Sequence, residues 1–276
     1  SEMCIRDSPL PARVAGPGRG RHRAGACVNR DLDDLLDLTD RLVPGLSGQV
    51  APATAPGIRP GADNGALIAQ LRDCWQRRYP EAGPHYLALR CWGLLIWQPV
   101  YLSVFAAHRS PIVPDLSSMN QPVPPDGFVI GYTLDPHEPL RGSLLERMQA
   151  AAAQLRNICA TFYRELTQVL RVSPRAAESM QADCVLYALL AARQGDCAAA
   201  NAWAQEQAAH WLGLLGIDGR SGYLTYERAS LPVIAVDRQV CCHYFRRRDG
   251  DYCSTCPKLD LAERIARIDA ESAVPA

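Results

Sequence analysis

The residues of this chain best suited to chemistry are four cysteines near its C-terminal end. Cys241 and Cys242 are adjacent, and Cys253 and Cys256 complete a C-C-x10-C-x2-C pattern, enough sulfur for a four-thiolate metal site. The Cys253-x-x-Cys256 half can bring two thiolates onto one metal, because the intervening amides fold back toward the sulfurs, and Pro257 stiffens the exit. That half serves zinc and iron equally. The vicinal pair is more informative. Adjacent side chains on a regular strand point to opposite faces, so Cys241 and Cys242 can share one centre only where the backbone bends. Structural zinc sites usually space their cysteines by a few residues and avoid that demand. Spacing alone leaves iron–sulfur and structural zinc open, together with a vicinal disulfide or four unligated thiols.

The residues beside the cysteines have two readings each. His243 could donate to a sulfur or replace a thiolate, or be a surface imidazole. Arg246, Arg247 and Arg248 could steer an acidic electron donor or an anionic ligand, or form a solvated hairpin tip balanced by Asp249 and Asp251. Arg238 could lend positive charge to the metal site or make an ordinary salt bridge.

The rest of the chain must position this segment. Its 276 residues are 48% apolar, enough to bury a substantial core. Lys+Arg and Asp+Glu balance at 29 each, so the basic excess expected of a nucleic-acid partner is missing. Of the 11 cysteines, Cys74, Cys91, Cys159, Cys184 and Cys197 lie singly in apolar or helical stretches and read as inert buried thiols of a reducing compartment. Residues 1–8 resemble the translation of a transposon-end sequencing adapter, and 9–26 are Pro/Gly/Arg-rich without apolar periodicity. Residues 1–26 are therefore expected to be non-native or disordered, and no signal peptide is evident there.

Leucine spacing predicts a short amphipathic helix over Asp31–Leu42 and a second over Ala66–Arg78, with Leu67, Leu71 and Trp75 on one face. Cys91–Ala107 is strongly apolar but shorter than the ~20 residues of a membrane span, and Gln98-Pro99 interrupts it. It reads as a buried core helix, kinked or broken near Pro99, with a peripheral membrane contact as the minor alternative. Pro111, Pro114, Pro122, Pro124 and Pro125 predict a long stiff loop, and Gly127–Leu134 a strand. Ser143 with Glu146 forms a capping box opening a helix to about Val172. Ser173-Pro174 starts the next helix, ending at Gly195, and Asp196 caps a third that stops at Gly216. Short connections make these three near-antiparallel neighbours, with Ala150–Ala153 and Ala198–Ala200 allowing close approach. Tyr223–Glu227 and Val233–Val236 are β-rich, and Lys258–Ile268 reads as a closing helix with Leu261, Ile265 and Ile268 apolar. Trp92, Trp97, Tyr101, Trp203 and Trp211 could line a cleft, though aromatics at helical positions are more often core. His108, His137 and His210 share no metal-ligand spacing. There is no phosphate loop, no G-x-S-x-G, no H-E-x-x-H and no flavin or NAD signature.

The C-C-x10-C-x2-C pattern, with Arg238 before the pair and Tyr244-Phe245 after it, resembles the FhuF-type ferric siderophore reductase family over about Gly222–Pro257. The resemblance is weaker through the helices from about His85, and absent before about Ala66. It implies that Cys241, Cys242, Cys253 and Cys256 ligate a 2Fe-2S cluster, the vicinal pair and the C-x2-C each giving two ligands. It also implies one-electron reduction of Fe(III) in a hydroxamate-type siderophore, with an unidentified external electron donor, in the cytoplasm. The expected architecture is α+β and predominantly helical: a single domain over residues 27–270, with 238–257 as the iron–sulfur segment.

Overall fold

The structure, a computed structural model, describes residues 30–228 and 231–272. The expectation for residues 1–26 lies outside the described residues. The protein is α+β and mainly helical, as its periodicities predict. Six helices precede the C-terminal segment among the described residues, and the last four of them form the body. Helix α1 (Arg30–Leu42) and helix α2 (Gly65–Arg78) precede the central α3 (Gly83–Arg109), followed by α4 (Leu144–Val169), α5 (Pro174–Ala192) and α6 (Ala198–Leu215). Helix α3 packs against both α4 and α5, and α6 closes the ring from the other side against the same two. Helices α5 and α6 are thus neighbours as expected, but α4 and α5 meet mainly through α3 and α6. The Ala151 and Ala152 methyls are fully buried, whereas in the second alanine run Ala198 and Ala199 are exposed and Ala200 alone is buried, though not completely.

Every residue of α3 from Tyr86 to Ala107 is buried, which is why its apolar residues show no single face. By length and composition α3 could cross a membrane, and its apolar window lies wholly inside the protein. Of the kink or break expected near Pro99, the break is absent: the helix runs continuously through it. Proline has no N–H for the Leu95 carbonyl four residues back. Gln121 supplies the missing donor: its Nε2 donates to the Leu95 carbonyl at 3.2 Å while its Oε1 accepts from Gln98 Nε2 at 2.9 Å.

Local signals set most helix ends. Ser143 and Glu146 form the capping box in both directions, and Ser173 caps α5. Helix α6 differs: Asp196 is taken by an ion pair with Arg193, so the helix starts one residue later, after Cys197. That leaves Cys197 exposed, a correction to its reading as a buried thiol. Cys91, Cys159 and Cys184 are buried, and burial pushes Cys91 and Cys159 up to about 12. On α2, Ile68 rather than Leu67 joins Leu71 and Trp75 in the core.

The segment after α3 is irregular, with short strands β3 (Ile112–Val113) and β4 (Gln121–Pro122). The strand expected over Gly127–Leu134 shrinks to β5 (Tyr132–Leu134), parallel to β1 (Gly48–Val50). Gly127 and Gly131 take positive φ of 76° and 79°, and the indoles of Trp75 and Trp97 donate to the Gly127 and Val129 carbonyls at 3.0 and 2.9 Å. Those carbonyls serve the core instead of a ladder. Strand β2 (Gly57–Ile58) pairs with β4, and β6 (Leu140–Arg141) with β3. Strands β7 (Gly222–Arg228) and β8 (Leu231–Asp237) form the antiparallel hairpin that delivers the chain to the cysteines. The last described helix, α7 (Leu261–Ser272), starts where Asp260 Oδ1 accepts from the Glu263 amide at 2.8 Å. Leu261 is exposed there, and Ile265 and Ile268 are only half-buried.

His108, near the end of α3, accepts a 2.8 Å hydrogen bond from Trp211 Nε1. Burial and the Arg147 charge lower its pKa to about 4. An acceptor nitrogen must be unprotonated, and unfolding restores an ordinary pKa of about 6.5. The stabilisation is therefore full above pH 6.5 and is lost as pH falls toward 4, with an upper bound of about 3 kcal/mol. Urea midpoints should fall across that window, and His108→Gln should flatten the slope.

Candidate metal centre

The cysteine segment is clamped between the α2–α3 junction, helix α5 and helix α7. On the first side, Arg247 lies against the Tyr79 ring at 4.0 Å, and the Arg248 amide donates to Glu81 at 2.8 Å. On the second, Arg238 pairs with Asp183 at 2.9 Å, and the Tyr187 and Thr255 hydroxyls share a 2.9 Å hydrogen bond. From the third, Arg264 reaches Asp237 and Arg267 reaches Asp251. Arg247 is thus an anchor, 5% exposed, and neither a steering charge nor part of a solvated tip. Arg246 and Arg248 remain exposed.

This clamp gathers the four predicted sulfurs. Cys241 Sγ and Cys256 Sγ are 3.9 Å apart, Cys242 is hydrogen-bonded to Cys253, and Cys253 to Cys256. The backbone changes course directly after the vicinal pair. His243 has φ 60°, in the left-handed region, the one non-glycine residue so placed among those described. Two of these contacts, Cys241–Cys256 and Cys242–Cys253, cross between the two halves of the motif, and the third lies within the C-x2-C half. None of these cysteines is in a disulfide.

Each sulfur also receives an N–H. The His243 amide donates to Cys241 at 3.4 Å, the Tyr244 amide to Cys242, the Arg238 Nη1 to Cys253 at 3.4 Å, and the Lys258 amide to Cys256. Such donors favour the thiolate. The neighbouring Cys253 thiol and burial raise Cys242 well above the ordinary thiol range, while the bond with Cys253 lowers Cys256. Four adjacent thiols cannot all ionise through mutual hydrogen bonds, since each new charge opposes the next. A cationic metal group removes that conflict.

Among the described residues, no three His, Cys, Asp or Glu side chains close on one point as the shell of a single ion. The sulfurs run instead as a chain of adjacent pairs, with the N–H donors around them. That donor set fits a 2Fe-2S cluster, whose irons each need two sulfurs from the protein.

His243 stacks on the exposed His85 with ring centroids 5.6 Å apart. Burial, Arg246 and His85 lower its pKa. Phe245 stacks on Tyr252 at 4.7 Å, so rings line the outer edge of the segment. Inward, the cavity reaching Cys242 between Tyr86, Arg90 and Met180 is about 20 Å³, room for about one water. The core reading of the aromatics holds for four of the five: Trp92, Trp97, Tyr101 and Trp211 are core, and Trp203 is half-buried. Trp92 edges one cavity of about 310 Å³ and Trp203 another of about 380 Å³, and no motif cysteine lines either. His137 accepts from the Asp115 amide at 2.8 Å, a loop-fastening role.

Sequence reasoning missed Asp183, Tyr187, Tyr79 and His85. Asp183 alone left a signal, a carboxylate amid the buried Ala182, Val185 and Leu186 of α5.

Four adjacent, N–H-bonded cysteine sulfurs on a helical body fit a 2Fe-2S cluster. The C-terminal segment is also similar to a known family. Residues 238–258 match the family described as FhuF 2Fe-2S C-terminal domain, and the match spans all four cysteines and begins at Arg238. No solved structure matches the chain.

Proposed function

We propose that Cys241, Cys242, Cys253 and Cys256 ligate the cluster and that the protein reduces siderophore-bound Fe(III) to Fe(II) in the cytoplasm. The observation that carries this reading is the coincidence of the FhuF-type segment, 238–258, with four gathered sulfurs near the protein's edge. When bound, the cluster supplies one electron at a time.

The chain's own residues favour delivery at the surface. A ferric chelate is far too large for the cavity beside Cys242, of about 20 Å³, so it is met from outside, where Cys241 is half-buried. Arg246 and Lys258 are exposed beside His243 and attract an anionic chelate or an acidic donor. The substrate iron gains one electron and its complex one negative charge. Hard anionic oxygens suited to Fe(III) hold the softer Fe(II) poorly, and the iron passes to cellular ligands. An external reductant returns the electron.

Mixing anaerobically reduced protein with a ferric trihydroxamate and a chromogenic Fe(II) chelator tests this. The expected result is reoxidation of the protein with an equivalent of Fe(II) trapped. Protein that ferricyanide reoxidises but the ferric chelate does not would overturn the reading.

A further inference from the structure

The buried ion pair behind Cys253 has a role that the FhuF-type match does not assign. We propose that Arg238, held by Asp183, sets the reduction potential of the cluster from within the protein, raising it, and that Asp183 limits that rise. The inference rests on the cluster being held by the four cysteines.

The geometry is specific. Both side chains are 0% exposed. The guanidinium is divided three ways: Nε donates to Asp183 Oδ2 at 2.9 Å, Nη1 to Cys253 Sγ at 3.4 Å and Nη2 to the Val240 carbonyl at 3.3 Å. The Ser221 hydroxyl lies within hydrogen-bond reach of the other Asp183 oxygen, so the carboxylate is fixed as well. Arginine keeps its proton under all ordinary conditions, and its planar fork holds that charge in a defined direction. The cation therefore touches a cluster sulfur while its counter-ion stands behind it on α5.

Adding an electron makes the cluster more negative. A fixed cation beside one of its sulfurs favours that reduced form, and an anion one step further away opposes it more weakly. Burial decides which charges matter. Exposed Arg246 and Lys258 act through water and salt, whereas the Arg238–Asp183 pair acts through protein and is screened little. Arg238 acts on the redox equilibrium through a ligand sulfur, as a positioned charge and not as a group that meets substrate.

Spectroelectrochemical titration of cluster-loaded protein tests the assignment. Arg238→Gln is expected to shift the one-electron equilibrium about tenfold toward the oxidised form, a potential lower by about 59 mV. Asp183→Asn is expected to shift it in the opposite direction, and both shifts should persist in ~1 M salt, where the Debye length is about 3 Å. A purely structural pair would move both variants the same way or neither. Because each single change leaves a buried partner, the Asp183→Asn/Arg238→Gln double variant serves where one fails to load. Its potential is expected between that of Arg238→Gln and that of the unmodified protein. Shifts of the same sign in the two single variants would overturn the proposal, as would a double variant at the unmodified potential. If the unmodified protein shows no redox couple, the cluster reading falls and takes this inference with it. If it shows a couple that no variant moves, this inference alone falls.

Discussion

Cys241→Ser is expected to remove the protein's iron and visible absorption together, and to lower ferric reduction at least about a hundredfold. The figure is a floor: losing a residue that merely supports a metal ligand already costs 10–100-fold in affinity or activity. Cys241 has no substitute at hand. Its sulfur sits 3.9 Å from Cys256 and takes the His243 amide at 3.4 Å. A serine oxygen is harder and shorter-bonded than sulfur and a poor match for an all-thiolate iron site. His243 is two residues on in the chain, yet its backbone is left-handed and its ring stacks on His85. The helical body should survive, because the α3–α6 core uses none of the motif cysteines. Far-ultraviolet circular dichroism should change little while iron analysis collapses. A variant retaining the full spectrum would remove Cys241 from the ligand set.

Arg247→Ala is expected to cost about 3 kcal/mol. The guanidinium is sandwiched between the rings of Tyr79 at 4.0 Å and Tyr244 at 4.3 Å. It also donates to Tyr79 Oη at 2.5 Å and grips Asp249 with Nε and Nη2, each at 2.9 Å. Truncation opens a cavity between the α2 terminus and the cysteine segment and loses two desolvated cation–π contacts. It also releases the turn in which the Gly250 amide donates to the Arg247 carbonyl at 3.0 Å. That turn fixes the spacing between Cys242 and Cys253, so iron loading should fall with stability. Arg247→Lys keeps a charge but not the planar fork and should recover only part of the loss. Arg247 holds the Asp249 carboxyl down to about 2. The contribution of the Arg247–Asp249 ion pair is therefore complete above about pH 4 and disappears as pH falls through 2. Urea unfolding and iron content are the measurements, and a variant within about 0.5 kcal/mol of the parent would contradict the anchoring role.

What could be read from the sequence was mostly local. The C-C-x10-C-x2-C spacing, the Ser143–Glu146 capping box and the Ser173-Pro174 start each depend on residues close in the chain, and each is present as expected. The strong apolarity of α3 on all sides likewise marked it as buried. What escaped depended on distant partners. Pro99 suggested a break because the compensating donor, Gln121, belongs to another segment. Asp196 suggested a cap because its competing partner Arg193 comes from the turn before it. The three consecutive arginines looked alike in sequence, and only the position of Tyr79 separates buried Arg247 from exposed Arg246 and Arg248. Arg238 and Asp183 are 55 residues apart. Local patterning cannot reveal such a pair, although a carboxylate on a buried stretch of α5 was a clue that a cation had to meet it.

The most direct test of the account is metal and sulfide analysis of anaerobically purified protein, combined with its visible spectrum before and after dithionite. Two irons and two acid-labile sulfides per chain, with absorption that bleaches on reduction, are predicted for a 2Fe-2S centre. A colourless protein with one zinc per chain would contradict the central claim.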